Sequence, residues 1–328
     1  MHWGHCVSDD LISWEELPIA LFPDMPYDNG PNGGCFSGSA IEKDGRLYLF
    51  YTSVDEEGNQ TQSIAYTDDG INFIKYDGNP VIRENPLGNN KEFRDPKVFA
   101  YKGEYRMVVG AGSNNTGAIL LYRSKDLINW DYIGPLLTDG RFGNIIECPN
   151  LFEVDGRWVL MFSSIKAMPH RVIFAVGLFD GTSFTPEVPD GHPDSWPYFT
   201  IETGPDFYAP QILEAPDGRK INIAWMYNWN RREDKGQLQV GAFTFPREMG
   251  FDKAGRLTML PITEGLRLLK KESTFVSYEN GRLRVRFGNR TVLERPYAHE
   301  PDVLTLEDIG SVEMFINGGI ENITVYVC

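Results

Sequence analysis

Asp95 and Glu147 are the residues on which chemistry could turn. Each lies in a short stretch that also holds proline: Phe93-Arg94-Asp95-Pro96-Lys97 and Glu147-Cys148-Pro149-Asn150-Leu151. Asp95 stands 8 residues before Gly103, and Glu147 stands 9 before Gly156. If the chain repeats itself in space, acids in matching places of consecutive units face one another. Two facing carboxylates can move protons and stabilise developing positive charge. A lone acid would more simply bond the amides of a turn; the match between units favours a site.

The elements that must position this pair form a repeat. A turn followed by an apolar strand recurs from Asp44 to Phe50, Lys102 to Val108, Asp155 to Met161 and Asp217 to Ile223. Its glycines, Gly45, Gly103, Gly156 and Gly218, are 58, 53 and 62 residues apart. An x-Gly pair between apolar runs signals a hairpin. A second submotif, Ser-x-Asp-Leu-x-x-Trp, is complete at Ser8–Trp14 and Ser124–Trp130, with weaker copies from Thr67 and from Phe179. Short strands at this period lie close to the spacing of propeller blades, and a β-sandwich with coincidental turns is the alternative. The best helical stretch, Thr263 to Lys271, follows the last repeat. In a propeller the first strand of each blade lines the central channel as an edge strand, where proline is tolerated. The candidates are Cys35–Ser39, Phe93–Lys97, Glu147–Leu151 and Asp206–Gln211. The first unit shows only its ending, Ser8–Trp14.

The chain has 328 residues and a net charge of −15, which disfavours nucleic acid and anionic membrane surfaces. No apolar run is long enough to span a bilayer, and no signal peptide opens the sequence, so a cytoplasmic setting is expected. Cys6, Cys35, Cys148 and Cys328 suit neither a zinc motif nor a disulfide framework and are expected as buried free thiols. The Asn-x-Thr sequons at Asn59, Asn114, Asn289 and Asn322 carry little weight. His2 and His5 have no carboxylate cluster beside them, so no metal is expected, and no cofactor is implied.

These stretches resemble the invertase, levanase and sucrose-6-phosphate hydrolase family of retaining β-fructosidases, glycoside hydrolase family 32. Arg94-Asp95-Pro96 is similar to its Arg-Asp-Pro motif, Glu147-Cys148-Pro149 to its Glu-Cys motif and Phe36-Ser37-Gly38-Ser39 to its Phe-Ser-Gly-Ser stretch. Met1 to His5, running on to Pro18, resembles the segment after its first catalytic motif. Asp206–Ala209, Ile223–Met226 and Ser311–Gly318 match further landmarks. The resemblance implies an all-β fold: a five-bladed β-propeller with an incomplete first blade over residues 1–262, then a linker and shortened C-terminal β-sandwich over 263–328.

It implies a retaining two-carboxylate reaction on sucrose, sucrose-6-phosphate or a fructan. Glu147 would be the acid/base, with Ile145, Ile146 and Cys148 as desolvating neighbours. Asp95 would stabilise the transition state, kept ionised by Arg94 and Lys97. Trp3, Phe36, Ser37, Arg94, Cys148, Tyr208 and Trp225 would line the sugar subsites, and Lys166, His170, Arg171, Arg231 and Arg232 are candidates for a phosphate. The family nucleophile, an aspartate in a Trp-Met-Asn-Asp-Pro-Asn-Gly-like segment, has no counterpart in these residues, so impaired hydrolysis is expected. The other readings are an inactive fructose-sugar-binding propeller, an arabinan- or xylan-cleaving propeller, and a fragment whose open sheet edge would favour a homo-oligomer.

Overall fold

A computed structural model describes residues 1–166, 171–188, 197–227, 241–308 and 310–327. Turn chemistry sets its hairpins. At Asp44-Gly45, Lys102-Gly103 and Asp155-Gly156 both residues take positive φ, between 49° and 80°. That is the backbone of a tight hairpin turn whose twist matches its strands, and glycine takes the second place without strain. The aspartates of the second submotif close turns of another kind. Asp10, Asp69, Asp126 and Asp180 each accept hydrogen bonds from the backbone N–H groups two and three residues ahead.

The chain forms two compact units, Met1–Tyr198 and Phe199–Cys328. The first opens with a two-stranded sheet, β1 (Trp3–Val7) and β2 (Glu15–Leu21). Three four-stranded antiparallel meanders follow. They are β3 (Gly34–Lys43), β4 (Arg46–Val54), β5 (Gln60–Thr67) and β6 (Ile74–Lys75); β7 (Phe93–Tyr101), β8 (Glu104–Ser113), β9 (Thr116–Ser124) and β10 (Asp131–Asp139); and β11 (Ile146–Val154), β12 (Arg157–Ser164), β13 (Val172–Phe179) and β14 (Phe184–Pro186). The first strand of each lies at its sheet's edge, and β3, β7 and β11 pack in succession against one another.

The strands of the middle sheet are apolar on both faces because a sheet covers each. Met107, Val109 and Ala111 of β8, with Leu120 and Tyr122 of β9, pack with Phe50 and Ile64. The alternate residues Val108, Ile119 and Leu121 pack with Leu151, Leu160 and Phe162. The period-2 alternation thus sorts side chains between two cores.

The second unit holds β15 (Tyr208–Glu214), β16 (Lys220–Met226), β17 (Ala242–Phe243), β18 (Arg247–Phe251) and β19 (Leu257–Pro261) in one sheet. The expected helix is a short 3₁₀ segment, Thr263–Leu268. Two three-stranded sheets follow: β20 (Val276–Glu279), β21 (Arg282–Phe287) and β22 (Arg290–Pro296), then β23 (Val303–Asp308), β24 (Ser311–Ile316) and β25 (Glu321–Tyr326). Leu283 and Val285 of the former share a core with Val312, Met314, Ile316, Ile323 and Val325 of the latter, as in a sandwich. Arg247 of β18 is fully buried between Glu202 and Glu313, bonding Thr324 as well.

One expectation about the thiols needs correcting. Cys35 and Cys148 are buried, but Cys6 is exposed, because β1 belongs to a sheet of only two strands. Cys328 lies outside the described residues.

Candidate active site

A β-bulge recurs in the first strand of each meander. The register shifts between Phe36 and Gly38 in β3, between Arg94 and Lys97 in β7, and between Glu147 and Asn150 in β11. In the second unit β15 does the same between Tyr208 and Gln211. The bulged residues Asp95, Cys148 and Ala209 take positive φ, at 65°, 48° and 49°. Each is followed by proline, which fits because a bulge leaves a residue out of the ladder. A left-handed backbone at a residue with a side chain costs about 1–3 kcal/mol and is a mark of functional sites.

This register corrects the sequence alignment of the two acids. Asp95 and Glu147 are not equivalent: Asp95 matches Cys148, inside the bulge, and Glu147 matches Arg94, just before it. The signal was the proline. Pro96 and Pro149 both stand 7 residues before their hairpin glycines, which sets Arg94-Asp95-Pro96 over Glu147-Cys148-Pro149.

The offset brings the acids into one network. Arg94 donates from Nε and Nη2 to Glu147 Oε1 at 3.0 and 2.8 Å. Asp95 Oδ2 accepts from the Cys148 N–H at 2.9 Å, with the Cys148 Sγ at 3.5 Å. Asp95 is only 5% exposed, whereas the Arg94 and Glu147 side chains retain 17% and 18% exposure. Among the described residues nothing donates to Asp95 Oδ1.

Burial pushes the Asp95 carboxyl above its ordinary range, and the Glu147 charge adds to the rise. The Arg94 charge and the Cys148 N–H pull the other way. Arg94 therefore favours ionised Asp95, as expected, but burial outweighs it. The Cys148 thiol is raised well above its usual value, first by burial and then by Asp95, so it stays protonated.

Several residues that the sequence did not single out hold this pair. The Asp95 N–H donates to Thr52 Oγ1 at 2.9 Å, Thr52 donates to Gln62 Oε1 at 2.9 Å, and Gln62 Nε2 donates to the Phe93 carbonyl at 2.9 Å. Gln60 Oε1 accepts from the Phe93 N–H and from Arg94 Nη1. Gln60 and Gln62 stand two apart in β5 and so share one face of the strand, within the polar run Gln60-Thr61-Gln62-Ser63 that precedes its apolar part.

The expected sugar contacts divide. Trp3 Nε1 donates to the Phe36 carbonyl at 2.9 Å, and Phe36 pairs across the ladder with Thr52, so both connect to Asp95. Ser37 is exposed in the β3 bulge. Cys148 is turned onto Asp95 and is a support. Tyr208 and Trp225 are cross-strand partners in the second unit, Tyr208 buried and Trp225 stacked on Tyr227 at 4.0 Å. Of the phosphate candidates, Arg171 donates to the Ile165 carbonyl and Lys166 to Gly140. His170, Arg231 and Arg232 lie outside the described residues.

The family described as "Glycosyl hydrolases family 32 N-terminal domain" matches residues 1–261. A levanase of Bacillus subtilis (strain 168) is 38% identical over an aligned length of 296 residues, covering 80% of this chain and 41% of that protein. A sucrose-6-phosphate hydrolase of the same strain is 38% identical over an aligned length of 240 residues, covering 68% of this chain and 48% of that protein. This chain thus spans less than half of either. An Escherichia coli sucrose-6-phosphate hydrolase is 33% identical over 97% of this chain and 79% of its own length. Among solved structures, the GH32 β-fructofuranosidase of Bombyx mori superposes with a TM-score of 0.83 at 26% identity, covering 100% of this chain and 80% of that one. The likeness extends over the all-β, propeller-type sheets and the following sandwich, and the chain belongs to glycoside hydrolase family 32.

Proposed function

We propose that the chain provides the sugar pocket and the acid–base machinery of a retaining β-fructosidase acting on sucrose, sucrose-6-phosphate or a fructan. The observation that carries this reading is one network, in which Arg94 binds Glu147 while the Cys148 N–H fixes Asp95. Glu147 keeps part of its surface open to solvent and gives a proton to the glycosidic oxygen, then takes one from water. Asp95 Oδ1, to which nothing among the described residues donates, takes fructose hydroxyls, and these bonds strengthen as positive charge grows on the ring. Trp3 and Phe36 provide apolar surface beside it.

The third group of a retaining mechanism, the nucleophilic carboxylate, corresponds to no segment of these 328 residues. The polypeptide on its own is therefore expected to bind a fructosyl sugar and turn it over poorly. Preceded by a family nucleophile segment, it is expected to release reducing sugar from sucrose or inulin. In that longer chain Glu147→Gln lowers the rate by about 10²- to 10⁴-fold. An unchanged rate would remove Glu147 from its role. Fast turnover by the 328 residues alone would mean that another carboxylate serves as nucleophile.

A further inference from the structure

Glu92 stands just before β7, two residues ahead of Arg94, with its backbone fixed from both sides. Its N–H donates to the Asn89 carbonyl, and its carbonyl accepts from the Gly112 N–H. Its side chain faces Arg94 and Asn144. Oε2 accepts from Arg94 Nη1 at 2.7 Å, and Oε1 accepts from Asn144 Nδ2 at 2.9 Å. Asn144 lies three residues before Glu147, on the segment that leads into β11. Glu92 thus ties together the cation that binds Glu147 and the chain that delivers it.

We propose that Glu92 is a positioning residue that shares the Arg94 charge with Glu147, and so sets the pH range over which the acid–base pair works. The proposal deepens the reading of Glu147 as acid/base and rests on it. Ionisable groups face the guanidinium from two directions: Glu92 and Asp95 from the β7 side, and Glu147, with the Cys148 thiol beside Asp95, from β11. Gln60 and Asn144 are the neutral partners. One cation therefore serves three carboxylates. A carboxylate that shares its cation is held less strongly in the ionised form than one that has it alone. Glutamine at position 92 keeps an oxygen for Arg94 and removes the competing charge. Arg94 then acts on Glu147 and Asp95 alone.

The experiment is carboxyl titration by NMR of the 328-residue chain labelled at glutamate side chains, the Glu147 signal being assigned by its loss in Glu147→Gln. Glu92→Gln is expected to move the Glu147 midpoint down by about half a unit to one unit. Glu92→Asp, which restores the charge, is expected to bring it back toward the parent. A midpoint that stays in place in Glu92→Gln overturns the proposal and leaves Glu92 as a brace. The pH dependence of sucrose hydrolysis by the longer chain then separates the two claims. A rate profile that moves to lower pH with the midpoint, kcat changing more than KM, supports both. A midpoint that moves while the rate profile stays put contradicts the acid–base role of Glu147 and not the sharing of Arg94.

Discussion

Asp95 is the most constrained residue of the site. Its backbone is left-handed, its N–H is bonded to Thr52, and one carboxylate oxygen is bonded from Cys148, while burial opposes its charge. Such a residue is costly to the fold, and under the proposed function its charge serves the reaction. Asp95→Asn keeps the shape and an acceptor for the Cys148 N–H but removes the charge. In the longer chain it is expected to lower kcat by about 10²- to 10³-fold. Its effect on stability has the opposite sign. A carboxyl whose folded value is raised adds no penalty below the unfolded value, about pH 4, and a growing one as the pH rises through the folded value. The Tm of Asp95→Asn should therefore exceed the parent's by more at about pH 7 than at about pH 4. Thermal melts at the two pH values check this, and a gap that narrows with rising pH would contradict the burial account.

At the scale of elements, the bulged edge strand is the unit of design. The hairpin glycines, the aspartate turns and the edge strands were all legible in the sequence, because each rests on local chemistry. The register of the acids was less so. Counting from the glycines to Asp95 and to Glu147 gave 8 and 9, and the one-residue difference is the bulge offset, which only the prolines reveal. The supporting residues Thr52, Gln60, Gln62 and Glu92 are scattered over 41 positions of sequence and meet only because sheets pack face to face. That packing needs glycine where backbones cross. A side chain at Gly112 of β8 would run into the Asn144 carbonyl, whereas one at Gly45 would meet nothing, although its φ is 80°. Gly112→Ala is expected to cost about 1–3 kcal/mol and to lower activity by displacing the segment before Glu147. Gly45→Ala is expected to cost about 1 kcal/mol through backbone strain and to leave activity intact. Urea unfolding with parallel rate measurements separates the two.

Over the whole molecule, apolar packing supplies most of the cohesion, but the second unit depends on a buried charge that composition does not announce. Arg247 lies fully buried between Glu202 and Glu313, its guanidinium about 5.1 Å from the rings of both Phe207 and Phe315. Burial raises the Glu313 carboxyl, and Arg247 pulls it back down. Arg247→Met strands two carboxylates and is expected to cost about 3–5 kcal/mol. The loss should ease as the pH falls and the stranded acids take up protons, which melts across that range would detect. Nothing in the spacing of these residues joined them beforehand, since Glu202 and Thr324 are 122 residues apart in sequence and meet only through the fold.

The claim that governs the rest is that Asp95 and Glu147 address one fructosyl ring. A crystal structure of Glu147→Gln soaked with sucrose tests it most directly. The account predicts a fructosyl unit with hydroxyls within hydrogen-bond distance of Asp95 Oδ1 and its glycosidic oxygen at the side chain of residue 147. A sugar bound elsewhere, with both side chains left unoccupied, would contradict it.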